Sequence, residues 1–414
     1  MSIPADHLPK PAPGGRLRLL DGVRVVDLTT SLAGPYATML LADLGAEVIK
    51  IERPKVGDDS RQWRPPSLGR QSLWYASVNR NKRSVTLDYA QEAGAALLRA
   101  LIRDSDVVIT NQLPKVQAKL GIDWRSVQAV KPDIVFVSLT GFGLEGARAD
   151  LPCYDLIAEG YSGVMDLTGE ADGAPQKVGT PAADLLAGTD AALGCLAALF
   201  DRRATGRGHV VDVALVDSMT RFMTPRIVSY LGGGGVPARS GAKDSVVAVY
   251  QVFPTADDPI TLGLANDNTW RRFCRAVGRT DWLDDPELAD NAGRVRARVR
   301  LVEAIKALLL EKGRDHWLLL FQQEKIPAGP INRIDQLAAD PELQGRGLFY
   351  AIHHAVDGGG VAMPQVGLGI RIDHRAAGYD VPPPDLGQDT DAILSGLPGC
   401  TPAHLDQLRS EGVI

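Results

Sequence analysis

The stretch VRVVDLTTSLAGPYATMLLADLGAEVIKIER, residues 23–53, decides the fold class. VRVVDLT (23–29) is a short β-branched run of the kind that builds strands. The turn TSLAGP (30–35) follows it, and Pro35 suits a first helical position, where a missing N–H costs nothing. Residues 37–44 carry helical apolar spacing, and AEVIKIE (46–52) reads as a second strand. Working outward, SVTLD (84–88), a helix over 91–103, DVVIT (106–110) and DIVFVSL (133–139) continue the alternation. Apolar strands alternating with helices imply a parallel sheet covered on both faces. The fold class is α/β.

Beyond Gly146 the character changes. Helical segments are expected over 154–166, 184–203 and 209–231, and GGGG at 232–235 marks a break. VVAVYQVF (246–253) with PITLGLA (259–265) predicts a β-hairpin, and an amphipathic helical stretch covers about 270–325. PPPDLGQDTDAIL (382–394) predicts a Pro-led entry into a late helix. The expected division is a flexible N-terminal arm (1–19), a large domain in two parts (20–232 and 341–414) and a small domain with linkers (233–340).

The chain has 414 residues, enough for about two or three domains. Lys plus Arg number 45 and Asp plus Glu 50, a formal charge of −5, which argues against nucleic acid as a partner. The most apolar window, 185–200, contains Asp190 and reads as too short to span a bilayer, so no membrane partner is expected. Cys153, Cys195, Cys274 and Cys400 show no metal-ligand or disulfide spacing, which fits a reducing cytoplasm. No metal is expected. The pair His353–His354 cannot face one site from a regular strand and reads as a surface feature.

GFGLEG (141–146) formally matches GxGxxG, but ARADLP follows it instead of a helix, so a dinucleotide site is disfavoured. Asp184 stands at the opening of a strongly helical run. It suits a helix N-cap, and there the helix dipole would lower its pKa and keep it ionised. An ionised carboxylate with few acids nearby can also serve as a nucleophile. The two roles are compatible.

Read together, the motifs resemble one family. LDGVRVVDLTTSLAGPYATMLLADLGAEVIKIERPKVGDDSR (20–61) resembles the opening of the family III CoA transferases of the CaiB/BaiF type. NRNKRSVTLD (79–88), DVVITN (106–111), LTGFGLEG (139–146), TGRGHVVDVALVD (205–217), KIPAGPINRI and DLGQDTDAIL continue the likeness in order. The resemblance implies a Rossmann-like large domain, a smaller α+β domain and an interlocked homodimer. It implies transfer of CoA from an acyl-CoA to a carboxylic acid, with coenzyme A as substrate and no prosthetic group. Dicarboxylic acids are the leading expectation.

In that family one Asp, about thirty residues after a YD or HD pair, accepts the acyl group. Tyr154–Asp155 is the pair here, which makes Asp184 the match. Related α-methylacyl-CoA racemases carry His where this chain has Tyr154, and Tyr exchanges an α-proton poorly near neutral pH, so transfer is favoured over racemisation. The resemblance further implies CoA contacts from Ser31, Leu32, Ala33, Arg53, Leu87, Asn111, Lys119 and Tyr154. Leu32 replaces a glutamine found in some members, and Gln112 stands where an aromatic is common.

Overall fold

The computed structural model describes residues 7–11, 14–69, 71–356 and 359–414. They fall into two compact units. The first comprises Met1–Val164, Lys177–Ser229 and Ala338–Ile414; the second comprises Met165–Gln176 and Tyr230–Leu337. The segment Met165–Gln176, inside the stretch read as large domain, thus groups with the second unit. Of the segment read as an arm, residues 1–6, 12 and 13 lie outside the described residues. From Arg16 onward the chain is tied down, with Leu17 buried and its N–H donated to the Asp43 carbonyl (2.9 Å).

The first unit is built on strands β1 (Arg24–Asp27), β2 (Glu47–Glu52), β3 (Lys82–Thr86), β4 (Val107–Thr110), β5 (Val135–Thr140) and β6 (His209–Ala214). They pair in the order β3-β2-β1-β4-β5-β6, every neighbour parallel. The order turns back between β1 and β4, where the segments after the two strands diverge and leave a crevice. Val25, Val26, Val107, Val108, Ile109, Val135 and Val137 are fully buried, as a sheet covered on both faces requires.

Connecting helices cover the sheet: α1 (Ala33–Asp43), α2 (Glu92–Arg103), α3 (Pro114–Leu120), α4 (Trp124–Val130), α5 (Asp155–Ser162), α6 (Ala182–Thr205) and α7 (Leu215–Phe222). α1 begins at Ala33, which makes Pro35 its third residue instead of its first; that N–H also lacks an intrahelical acceptor, so proline is tolerated. The expected helix over 209–231 is a strand in its first six residues, because β6 pairs with β5 and alternates half-buried and exposed side chains before its buried end.

Helix α6 is 24 residues long, so the reading of 185–200 as too short for a bilayer does not hold; by length and composition the helix could cross one. Its small residues Ala183, Ala187, Gly188, Ala191 and Cys195 are buried where it packs on α1 and β5. Gly188 is needed there: a Cβ at that position would lie 2.6 Å from the Ala33 carbonyl oxygen.

The chain returns to this unit near its end. Asp389 Oδ2 accepts the N–H of Ser84 (3.0 Å), Thr390 Oγ1 accepts that of Thr86 (3.0 Å), and the Val413 carbonyl accepts that of Asp88 (2.7 Å). These contacts satisfy the outer edge of β3. Leu394, Leu405, Leu408 and Val413 join Val85, Leu98 and Ile102 in one core, each such burial contributing about 1.5–3 kcal/mol.

In the second unit, strands Tyr250–Phe253 and Ile260–Gly263 form the expected antiparallel hairpin, with Ala328–Pro330 added alongside. Trp270, Phe273, Trp282, Trp317 and Phe321 stack in its core. His353 is exposed on the strand Phe349–Val356, and the side chain of His354 lies outside the described residues.

Candidate active site

A cavity of about 510 Å³ opens at the carboxyl ends of the strands, at the crevice between β1 and β4. Ser31, Leu32, Ala33, Arg53, Leu87, Asn111, Tyr154 and Asp184 all line it. They come from the segments after β1, β2, β3 and β4, from the entry to α5, and from the first turn of α6. Lys119 is not among the lining residues. It is exposed on α3, whereas its neighbour Leu120, about 100° round the helix, lines the cavity.

Several side chains hold the segment after β1. Asp27 Oδ1 accepts the Thr29 N–H (2.9 Å). The Asn111 amide grips Thr30 from both sides, accepting its N–H (3.1 Å) and donating to its carbonyl (2.8 Å). Asp58 Oδ1 accepts the Ser31 N–H (3.0 Å). Ser31 has φ of +71°, a left-handed backbone that costs a non-glycine residue free energy. The chain then enters α1 with Leu32 as the flanking residue and no side-chain cap. The amides of Leu32, Ala33 and Gly34 therefore have no intrahelical acceptor, and they stand at the positive end of the helix.

Asp184 is the third residue of α6, which begins after Pro181, so it is not the N-cap. That role falls to a carboxylate from another helix: Asp155 Oδ1 accepts the N–H groups of Ala183 (2.8 Å) and Asp184 (3.3 Å). The expected lowering of the Asp184 pKa is overturned as well. Burial first, then the Asp155 carboxylate, push the Asp184 carboxyl up to about 7. At neutral pH a substantial fraction is ionised, and little solvation holds that charge. Such a carboxylate is reactive toward an electrophilic carbonyl. The neighbouring Cys153 thiol is pushed up to about 11 by burial and by Asp184, so it stays protonated and cannot compete as nucleophile.

Arg53, directly after β2, is more than half exposed and pairs with Asp59 (2.5 Å). Leu87 is fully buried and Tyr154 is 71% exposed, which places an apolar wall and a solvent-facing ring on the same cavity. Gln112 and Trp63 also line it. Among the described residues no group of His, Cys, Asp or Glu is arranged to hold a metal ion.

The sequence reading missed the charges beneath this surface. Lys50 is fully buried, donating to the Thr29 carbonyl (2.9 Å) and pairing with Asp58 (2.8 Å). Lys82, also buried, reaches Asp27 (3.2 Å) and the Pro35 carbonyl (2.8 Å). One signal was available: a lysine inside the apolar run VIKIE calls for a buried partner.

Residues 20–390 match the model of CoA-transferase family III. A succinate–glutarate CoA-transferase of Agrobacterium fabrum is 37% identical over 384 residues, covering 91% of this chain and 95% of its own. The succinyl-CoA:glutarate CoA-transferase of Mus musculus is 34% identical over 398 residues, covering 96% and 91%. The crystal structure of a CaiB/BaiF family protein from Brucella suis superposes with a TM-score of 0.79 at 34% identity, covering 94% of this chain and all of that one.

Proposed function

The chain belongs to CoA-transferase family III, and from that premise we propose that it moves CoA between dicarboxylic acids by covalent catalysis at Asp184. The observation that carries the proposal is the position of Asp184, with a carboxyl raised to about 7, in the same cavity as the uncapped first turn of α1. The ionised Asp184 attacks the thioester carbonyl of the donor acyl-CoA, forming a mixed anhydride and expelling CoA thiolate. The thiolate attacks the aspartyl carbonyl, which releases the donor acid and leaves an aspartyl-CoA thioester. The acceptor carboxylate attacks that thioester, again giving a mixed anhydride and thiolate. Attack of the thiolate on the acceptor's acyl carbonyl yields the new acyl-CoA and regenerates Asp184. Each step builds charge on a carbonyl oxygen, and the amides of Leu32 and Ala33, which line the cavity, are suited to receive it.

Arg53 holds the phosphate end of CoA, and Leu87 and Asn111 line its path. The substrates named for the relatives, succinate and glutarate, support dicarboxylates for this chain. All four cysteines are free, in keeping with work in a reducing compartment. Large apolar side chains left exposed on the first unit, Leu193 (65%), Phe200 (79%) and Phe222 (56%), support the homodimer implied by the sequence.

The test is chemical trapping. Protein incubated with succinyl-CoA and then hydroxylamine or borohydride is expected to carry a mass change on the peptide containing Asp184. An unmodified peptide, with turnover intact, would overturn the assignment.

A further inference from the structure

Asp58 lies in the wall of the reacting cavity but exposes no surface to solvent, and its Oδ1 makes three bonds, one of them to the segment after β1. It accepts the N–H of Ser31 (3.0 Å), the N–H of Ser60 (2.8 Å) and the Ser60 hydroxyl (2.7 Å). Its other oxygen pairs with the equally buried Lys50 at 2.8 Å. Lys50 comes from the middle of β2 and also donates to the Thr29 carbonyl (2.9 Å), so a single ammonium ties Asp58 to the segment it holds. Asp58 is itself fixed, because its N–H is donated to Glu52 Oε2 (2.9 Å), and Glu52 is held by Arg61.

The segment so gripped is the strained one. Ser31 keeps a φ of +71° only because its neighbours over-determine it, and one peptide later the chain presents the free amides of the α1 first turn. Rotation of Ser31 into an ordinary conformation would re-aim those amides. Burying two opposite charges is costly unless their geometry is fixed, and here the fixed geometry ends on the Ser31 amide.

We infer that Asp58, neutralised by Lys50, is a positioning residue for the transfer reaction: through the Ser31 N–H it aims the first-turn amides of α1 at the carbonyl oxygen that becomes an oxyanion. The inference rests on Asp184 being the nucleophile. It assigns Asp58 and Lys50 no contact with substrate, and it predicts an effect on kcat and not on binding.

The experiment compares two double variants, so that no buried charge is left alone. Lys50→Met with Asp58→Asn keeps an oxygen acceptor for the Ser31 amide; Lys50→Met with Asp58→Leu removes it. The leucine pair is expected to lose about a hundredfold in kcat, with KM for acyl-CoA within about threefold of wild type, and the asparagine pair to stay within about tenfold in kcat. The rate at which the Asp184 adduct accumulates in a single turnover should fall in the same ratio. Should the leucine pair fail to fold, Asp58→Val with Lys50→Met takes its place, since valine also offers the Ser31 amide no acceptor, and the same split is expected. Equal kcat for the asparagine variant and its folded counterpart, or a loss that appears wholly in KM, overturns the inference. Failure of wild type to form any adduct on Asp184 would instead overturn the reading beneath it.

Discussion

The carboxylate of Asp155 caps the helix that carries Asp184: its Oδ1 receives the Ala183 N–H at 2.8 Å and the Asp184 N–H at 3.3 Å. The same carboxylate is the second cause, after burial, of the raised Asp184 pKa. One side chain thus orders the first turn of α6 and tunes the group that the turn presents. Asp155→Asn keeps an acceptor oxygen and removes the charge. The acid limb of kcat/KM, which reports the free enzyme, should then move to lower pH by on the order of one unit. Asp155→Ala should also lower thermal stability, by about 1 kcal/mol for the lost cap. An unmoved pH profile in the asparagine variant would show that the charge does not reach Asp184.

Asp184→Asn separates catalysis from stability. Activity should fall at least about a thousandfold, since lost covalent catalysis is worth about 4 kcal/mol or more. Stability should move the other way. The folded carboxyl titrates at about 7 against an ordinary 3.8, so the native state holds a proton that the unfolded chain has released between those values. Wild-type stability therefore declines as pH rises through that window and is level above it. The variant escapes the decline, and its advantage should be absent near pH 3.5 and reach up to about 4 kcal/mol at pH 8. Denaturant melts at the two pH values measure it.

Arg53→Ala should raise KM for acyl-CoA far more than for the free acid. Lost charge-assisted contacts are worth about 1.5–3 kcal/mol, a ten- to hundredfold weakening as a ceiling because the side chain is exposed. Comparing CoA with dephospho-CoA on wild type identifies which phosphate is held; equal binding would remove the 3′-phosphate.

Gly188→Ala tests the distance between α6 and α1. Alanine favours a helix by up to about 1 kcal/mol over glycine. Here its methyl group would meet the Ala33 carbonyl oxygen at 2.6 Å and the Tyr36 ring at 3.0 Å, and the first of these is backbone. Overpacking should win, at about 1–3 kcal/mol of stability, and kcat should fall because Asp184 and the α1 amides are pushed apart. Thermal melts beside steady-state kinetics decide the sign.

The parts legible in the sequence were those that rest on local pattern. Buried parallel strands such as VVIT and VFVSLT are continuous apolar runs, and they identify themselves. HVVDVA did not, because an edge strand with half-exposed alternation also fits helical spacing. Asp184 was visible through its place after Tyr154–Asp155, but its electrostatics were not: the cap and the neighbouring charge come from a residue 29 positions away. Asp58 in VGDDSR has the look of a solvated loop residue, and only the tertiary fold reveals that Lys50 buries it. Lys119 is exposed beside the lining residue Leu120, and chain position alone does not say which face of a short helix meets the cavity.

The pairing of Asp389 with Ser84 closes the edge of β3 across 305 residues of chain. On a ribosome adding about 5–20 residues per second, that edge waits on the order of 15–60 s for its cover, while the whole second unit emerges. During that interval the nascent protein displays a parallel strand with open N–H and C=O groups, the template on which neighbouring chains aggregate. Shielding β3 before synthesis ends should therefore raise yield in a cell. A chain cut short of Asp389 would keep every residue of the cavity and still leave that edge bare.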